Sequence, residues 1–239
     1  MKIALFISGG GTTMEAIIKA CKDNTLQNII PVLVVASKSN ILGIKKALDL
    51  GIQKEDVVVL NRRSFTTEED FGQAILSLCK ERDVDFIGQY GWLVKTPKNL
   101  CEAYKGRIIN QHPGPLDNGR PDFGGSGMYG LRVHQARIEF VRRTNRDFWT
   151  EATAHYVTSH FDEGKIIKRE RVPIFIDDTA EILQARVLPI EHKVQIEALE
   201  DFSLGRVEEF YREEPLVCEG EEGILEKCKE LAIKMYPNG

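Results

Sequence analysis

Cysteine is scarce and scattered in these 239 residues: Cys21, Cys79, Cys101, Cys218 and Cys228 form no C-x-x-C pair. An odd number without paired spacing fits reduced thiols better than a disulfide framework, and with them a cytoplasmic chain. Positive charge is not in excess either. Lys and Arg number 32 against 36 Asp and Glu, a net charge of −4, so no field is present that would hold nucleic acid or an anionic membrane. Any anionic ligand has to be gripped locally. No apolar run approaches membrane-spanning length, and the opening MKIALFISGGG ends in glycines with no small-residue cleavage pattern, so it reads as a first strand. The histidines His112, His134, His155, His160 and His192 lack zinc-site spacing, and no metal site is expected. Internal repeats and linkers that would cut the chain into independent domains are absent as well.

With 42% hydrophobic and 28% charged residues, the composition is that of a globular chain with a substantial core. IALFI from Ile3 is a continuous apolar run of the kind buried on both faces of a parallel sheet. TTMEAIIKACKD then has helical spacing; IIPVLVVAS from Ile29 is a second strand; ILGIKKALDLG is a helix closed by Gly51; VVVL from Val57 is a third strand. Thr66 or Thr67 is placed to cap the helix EEDFGQAILSLCKERD, and DFIGQYG supplies a fourth strand. Strand and helix alternate from the start, which predicts an α/β domain with a mostly parallel sheet and ligands beyond the carboxyl ends of its strands. Further on, LRVHQARIEFVRR predicts a helix, EATAHYVT and KIIKRERVPI two strands, and the stretch from Thr179 a long helix that Pro189 should kink or divide. The tail VEEFYREEPLVCEGEEG reads as an acidic, solvated appendage, followed by a short amphipathic helix near Ile224 to Met235.

Between the first strand and the first helix lies SGGGTT, Ser8 to Thr13, where backbone N–H groups and the helix dipole favour an anion such as phosphate. It is not a P-loop, because no Gly-Lys-Ser/Thr follows. Nor is it G-x-G-x-x-G, since Met14 stands at the third glycine's place and the second strand ends in Ser37 and Lys38 without an acidic ribose ligand. A tight turn with no ligand is the other reading of these glycines.

At Asn110 to Gly119, NQHPGPLDNG brings two polar side chains out of the apolar run RII and then breaks the backbone with Pro113 and Pro115. Asn110 and His112 are two residues apart, so an extended backbone points both to one face. The long Gly- and Pro-rich segment to Gly130 forbids helix or strand, and its glycines would permit closure over a substrate. In HFDEG, Asp162 occupies a turn that Gly164 allows to reverse, from which a carboxylate could orient His112. An amide, an imidazole and a carboxylate suit acyl transfer to an amine without a Ser or Cys nucleophile. For each residue alone, a satisfied polar group at a strand end or turn is the competing reading.

Together these motifs resemble those of the folate-dependent formyltransferase family. SGGGTT is similar to the family's S-G-x-G-[ST]-x loop, NQHP to its N-x-H-P motif and Asp162-Glu163-Gly164 to its D-x-G turn. Gly130-Leu131 with His134, the strand ending in His155-Tyr156-Val157, and ARVLPIEHK are further likenesses, and the similarity covers about Met1 to Leu204. It is nearest to the members that formylate glycinamide ribonucleotide in purine synthesis.

The resemblance implies a Rossmann-like formyltransferase fold, with a mostly parallel central sheet flanked by helices. It implies one formyltransferase domain over residues 1–239: a phosphate-binding half (1–105), a catalytic and folate-binding half (106–205) and an acidic C-terminal extension (206–239). The implied co-substrate is 10-formyltetrahydrofolate and the partner a small phosphorylated amine, with no nucleic acid or membrane, in a monomer or homodimer. Asn110 would stabilise the formyl oxyanion, with His112 as acid and base and Asp162 as its proton partner. Gly11, Thr12 and Thr13 would hold the substrate phosphate, and Glu191 would lie near its ribose or amine. Trp92, Leu93 and Val94, with Thr158, Ser159, His160 and Phe161, would line the folate pocket.

The chain departs from the family pattern around the acceptor side. Gly114 stands where Ser is usual and Thr13 where Asn is common; the loop from Pro115 to Tyr129 and the segment RRTNRDFWTEAT are longer, and the arginine often found in the folate segment has no counterpart near Val94. Formyl transfer to another amine, such as an amino sugar nucleotide or methionyl-tRNA, hydrolysis of formyltetrahydrofolate, and a non-catalytic folate- or nucleotide-binding module are the alternative readings.

Overall fold

The computed structural model describes all 239 residues, and they separate into two compact units. The first holds Met1–Gln111, Tyr156–Ser159 and Gln195–Val207; the second holds His112–His155, His160–Val194 and Glu208–Gly239.

In the first unit the chain alternates β1 (Lys2–Ile7), α1 (Thr12–Lys22), β2 (Ile30–Ala36), α2 (Leu42–Asp49), β3 (Val57–Val59), α3 (Glu68–Glu81), β4 (Phe86–Gln89), α4 (Lys98–Ala103) and β5 (Ile108–His112), whose last residue, His112, is counted in the second. These strands pair in the order β3-β2-β1-β4-β5, each parallel to its neighbour. Continuous apolar runs are what such strands require, and Ile3 to Ile7 are completely buried. Thr67 caps α3 in a reciprocal box with Asp70: its side chain accepts from the Asp70 N–H at 3.0 Å, and its own N–H donates to the Asp70 carboxylate at 3.2 Å. Helix α4 was not anticipated. KNLCEA is too short for a periodicity to register, and it forms after Pro97 because Leu100 is completely buried.

The second unit contributes α5 (Leu131–Thr144) and an antiparallel pair, β6 (Trp149–Tyr156, its last residue counted in the first unit) with β7 (Ile166–Pro173). Five parallel strands and one antiparallel pair make the mostly parallel α/β architecture that the alternating runs predict. The chain continues into α6 (Ala180–Ser203) and ends with α7 (Glu222–Met235). Pro189 does not divide α6, which runs unbroken for 24 residues. One missing N–H donor is outweighed where Leu183, Val187, Val194 and Leu199 are buried along the same helix. No helix is long and apolar enough to cross a membrane.

The tail VEEFYREEPLVCEGEEG is exposed along most of its length, as its acidity suggests, but it is anchored and is not a free appendage. Leu216 and Val217, with Leu225, Cys228 and Ala232 of α7, form one buried cluster with Phe123, Met128, Val133, Ala136 and Phe140. The 225, 228 and 232 positions share a helical face, so α7 covers α5 with its apolar side while most of its charges stay outward; Lys229 turns in and donates to the Gly124 carbonyl. Arg212 ties the tail down further, pairing with the fully buried carboxylate of Glu151 and donating to the Leu116 carbonyl at 2.6 Å.

Candidate active site

Asn110 and His112 lie at the carboxyl end of β5, and the register pairs Gln89, the last residue of β4, with Asn110. Their spacing of two along an extended backbone gives both side chains the same face. His112 is buried, 2% exposed, and its Nε2 lies 3.3 Å from the Phe123 carbonyl oxygen. Its Nδ1 lies 3.6 Å from Asp162 Oδ2. Both ring nitrogens thus face acceptors, an arrangement that favours the imidazolium, while burial opposes it. Burial dominates and lowers the His112 pKa; Asp162 pulls it back up. The ring is therefore neutral at rest, with a partner in place for the proton it takes up.

Asp162 sits in the turn between β6 and β7 and itself takes the left-handed conformation there, at φ 57°. Its Oδ1 is 3.5 Å from His155 Nε2, and its Oδ2 accepts the Gly125 N–H at 2.9 Å. Burial alone would raise this carboxyl, but His112, His155 and the Gly125 N–H outweigh it and hold the group well below the usual carboxylate range. A further imidazole, His134 of α5, is completely buried with neither ring nitrogen hydrogen-bonded, and burial lowers its pKa to about 3.

The loop after His112 is pinned along its length. Leu116 and Phe123 are completely buried, and Asp122 accepts the N–H groups of Asp117 (2.8 Å) and Gly124 (2.9 Å), holding the turn closed. Gly114 has a steric reason to lack a side chain, because a Cβ there would stand 2.4 Å from Val133 Cγ1 on α5. Gly124 is equally confined: a Cβ would come within 2.6 Å of Leu116 and 2.7 Å of the Asp162 Cβ. Beside this loop opens a cavity of about 660 Å³ whose walls include Asp122, Gly125, Phe161, Asp162, Leu225 and Lys229.

In the first unit, Gly11 takes φ 64° at the start of α1, with no side chain capping the helix. A Cβ on Gly11 would stand 2.8 Å from the Cα of Gly43, and the Gly43 N–H donates to Gly9 O at 3.1 Å, so the turn is clamped against α2. Thr12 is half-buried and Thr13 only 3% exposed, so an anion here meets backbone N–H groups and Thr12 first. Ser8 joins this turn to the Trp92–Val94 segment, since its Oγ accepts both the Ser37 hydroxyl (2.8 Å) and the Leu93 N–H (2.9 Å). Leu93 is exposed and Val94 half-buried, whereas Trp92 belongs to the core and packs on Phe6 at 5.1 Å between ring centroids. Thr158 and Ser159 are half-buried in the first unit; His160 and Phe161, in the second, are exposed. Glu191 is buried, midway along α6.

A family model described as formyl transferase matches residues 1–199. The chain belongs to the formyl transferase family. It is 34% identical over 200 residues to a chloroplastic phosphoribosylglycinamide formyltransferase of Vigna unguiculata, covering 83% of this chain and 60% of that protein. With the phosphoribosylglycinamide formyltransferase of Escherichia coli K12 it shares 26% identity over 207 residues, 87% of this chain and 89% of that one. Among solved structures, the phosphoribosylglycinamide formyltransferase of Brucella melitensis superposes with a TM-score of 0.71 at 32% identity, over 87% of this chain and 98% of that one. Glycinamide ribonucleotide transformylase 1 of Symbiobacterium toebii gives 0.74 at 26% identity, over 86% and 89%. The chain spans less than two thirds of two plant relatives, 60% and 64% of their length.

The part matched to formyl transferases contains Gly11 to Thr13, Asn110, His112, Asp162 and Glu191, and stops short of α7. Ser8 and His155 fall within sequence motifs that by themselves give neither a role. The Phe123 carbonyl and the Gly125 N–H escape the sequence altogether, because backbone groups carry no signature in residue identity. Lys229 was also missed. It stands in the amphipathic helix expected near Ile224 to Met235, but helical spacing does not tell which of that helix's lysines reaches the Gly124 carbonyl.

Proposed function

We propose that this formyltransferase moves the formyl group of 10-formyltetrahydrofolate to the amine of glycinamide ribonucleotide, with residues 1–239 working as one domain. The amine nitrogen bonds to the formyl carbon, the carbonyl oxygen becomes an oxyanion, and the bond from that carbon to N10 of the folate then breaks. The Asn110 amide donates to the oxyanion. Neutral His112 takes the proton that the attacking amine sheds and returns it to the departing N10, and the Asp162 carboxylate balances the imidazolium in between. The observation that carries this reading is Asp162 Oδ2, 3.6 Å from His112 Nδ1 and kept ionised by its surroundings, with Asn110 two residues before His112 on the same strand face. A cysteine nucleophile is disfavoured, since burial pushes the Cys21, Cys79 and Cys228 thiols up to about 11.

For the substrate phosphate, the uncapped start of α1 at Gly11, Thr12 and Thr13 supports a grip through backbone N–H groups. Glu191 is assigned to the ribose or amine, and Leu93, Val94, Thr158, Ser159, His160 and Phe161 to the folate, with Trp92 acting from the core beneath. Five unpaired cysteines suit a reducing compartment such as the cytoplasm. The test is to mix the protein with glycinamide ribonucleotide and 10-formyltetrahydrofolate and follow tetrahydrofolate release. Release that depends on this acceptor is expected. Turnover only with an amino sugar nucleotide, or equal turnover with no acceptor, would overturn the assignment.

A further inference from the structure

Lys229 is the only part of α7 with a hydrogen bond leading to the proposed reaction centre through a single peptide group. Its Nζ donates to the Gly124 carbonyl oxygen at 2.8 Å. The N–H of that same peptide, on Gly125, donates to Asp162 Oδ2 at 2.9 Å. Drawing electron density towards the carbonyl oxygen makes the amide N–H a stronger donor, so hydrogen bonds on the two sides of one peptide reinforce each other. The peptide has little freedom to turn. The Gly124 N–H is held by Asp122 at 2.9 Å, and the space where a side chain would stand is occupied by Leu116 and the Asp162 Cβ. Helix α7 is itself fixed, because Leu225, Cys228 and Ala232 are buried and Arg132 of α5 donates to the Tyr236 carbonyl at 2.7 Å and the Pro237 carbonyl at 2.6 Å.

We infer that Lys229 is a positioning residue for formyl transfer: through the Gly124–Gly125 peptide it aims an N–H at Asp162 and keeps that carboxylate ionised and directed at His112. The inference rests on the reading of His112 and Asp162 given above. It assigns a role to a helix outside the residues 1–199 matched to the family. The charged and titratable groups facing the Asp162 carboxylate are His112 of β5, His155 of β6 and Lys229 of α7, with Asp122 of the pinned loop facing His112 and Lys229 and His134 of α5 behind His112. Removing the lysine takes away a cation and weakens a hydrogen bond. Both losses favour the protonated carboxyl, so its pKa moves up.

The experiment compares wild type, Lys229→Met, Lys229→Arg and Lys227→Met, the last removing a charge from the exposed side of the same helix. Lys229→Met should lower kcat about tenfold, the cost of roughly one hydrogen bond at a reacting group, with KM for both substrates within about twofold. Its Gly125 amide proton should shift to lower frequency, and its Asp162 carboxyl should titrate at higher pH, both read by NMR. Lys229→Arg should restore most of kcat, and Lys227→Met should match wild type. A folded Lys229→Met with kcat, Gly125 shift and Asp162 titration unchanged would overturn the inference, as would an equal loss in Lys227→Met. Should Lys229→Met fail to fold, Lys229→Gln, which keeps a donor but lacks the charge, carries the same readings. The NMR readings need no substrate. If they respond while wild type leaves glycinamide ribonucleotide unformylated, the relay stands and the proposed acceptor falls.

Discussion

His112 and Asp162 show how opposed environments divide two protonation states between neighbours. Burial lowers the imidazole pKa, while two imidazoles and an amide keep the carboxylate charged despite its burial. Because the His112 pKa lies below the ordinary histidine value, the acid limb of kcat/KM should fall below about pH 6.5, as the free base is lost. A limb at or above that value, measured with saturating folate, would contradict it. Asn110→Ala removes the proposed oxyanion donor and should cost about a hundred- to a thousandfold in kcat, with the unfolding midpoint nearly unchanged. His134 gives a separate, stability-based prediction. Its folded pKa of about 3 lies below the unfolded value, so the unfolded chain takes the proton first and stability present at neutral pH is lost as pH falls. The loss begins near pH 6.5 and amounts to about 1.4 kcal/mol per pH unit for one such group. In urea unfolding at pH 7.5 and 5.5, His134→Leu should lose about 1.4 kcal/mol less stability than wild type, an average slope smaller by about half a proton, and the wild type's remaining slope includes His112.

At the scale of elements, loop and helix hold the carboxylate together. The Asp162 turn, the Gly124–Gly125 peptide and the Asp122 side chain lock one another, so the segment whose glycines suggested a closing lid is a braced wall. Gly124→Ala would press a methyl group against Leu116 and Asp162, with an expected cost of about 1–3 kcal/mol and a fall in kcat as the carboxylate is displaced. Gly223→Ala, in the first turn of α7 with nothing within 4 Å of an added Cβ, should be neutral or stabilising by up to about 1 kcal/mol. Thermal unfolding of the two variants separates steric confinement from the general effect of replacing glycine. The boundaries of most elements were legible because burial on both strand faces and the 3.6-residue repeat leave marks in composition. Helix α4 was not, since six residues are too few for a repeat and one buried leucine holds it.

At the scale of the whole molecule, the last residues are structural. Leu216, Val217 and Leu225 each contribute roughly 1.5–3 kcal/mol by burial, so losing them removes much of the roughly 5–15 kcal/mol that keeps a domain folded. A chain ending at Val207 should therefore expose Phe123 and Phe140, bind a hydrophobic dye and lose the cooperative unfolding of the second unit. An unchanged melting curve for that truncated chain would restore the view of a solvated appendage. The net negative charge gave no hint of this. It counts surface residues, whereas packing depends on a few apolar side chains that share a helical face.

The alternation of apolar runs by itself determined a mostly parallel α/β architecture, and the spacing of Asn110 and His112 determined that they share a strand face. Both follow from local geometry, which the order of residues specifies directly. Only the tertiary structure decided that His155 shares the Asp162 carboxylate with His112, that Trp92 is core, and that Lys229 reaches the same carboxylate through a peptide group. Those relations join residues far apart in the chain, several through backbone atoms common to every amino acid. No pattern of side chains records them.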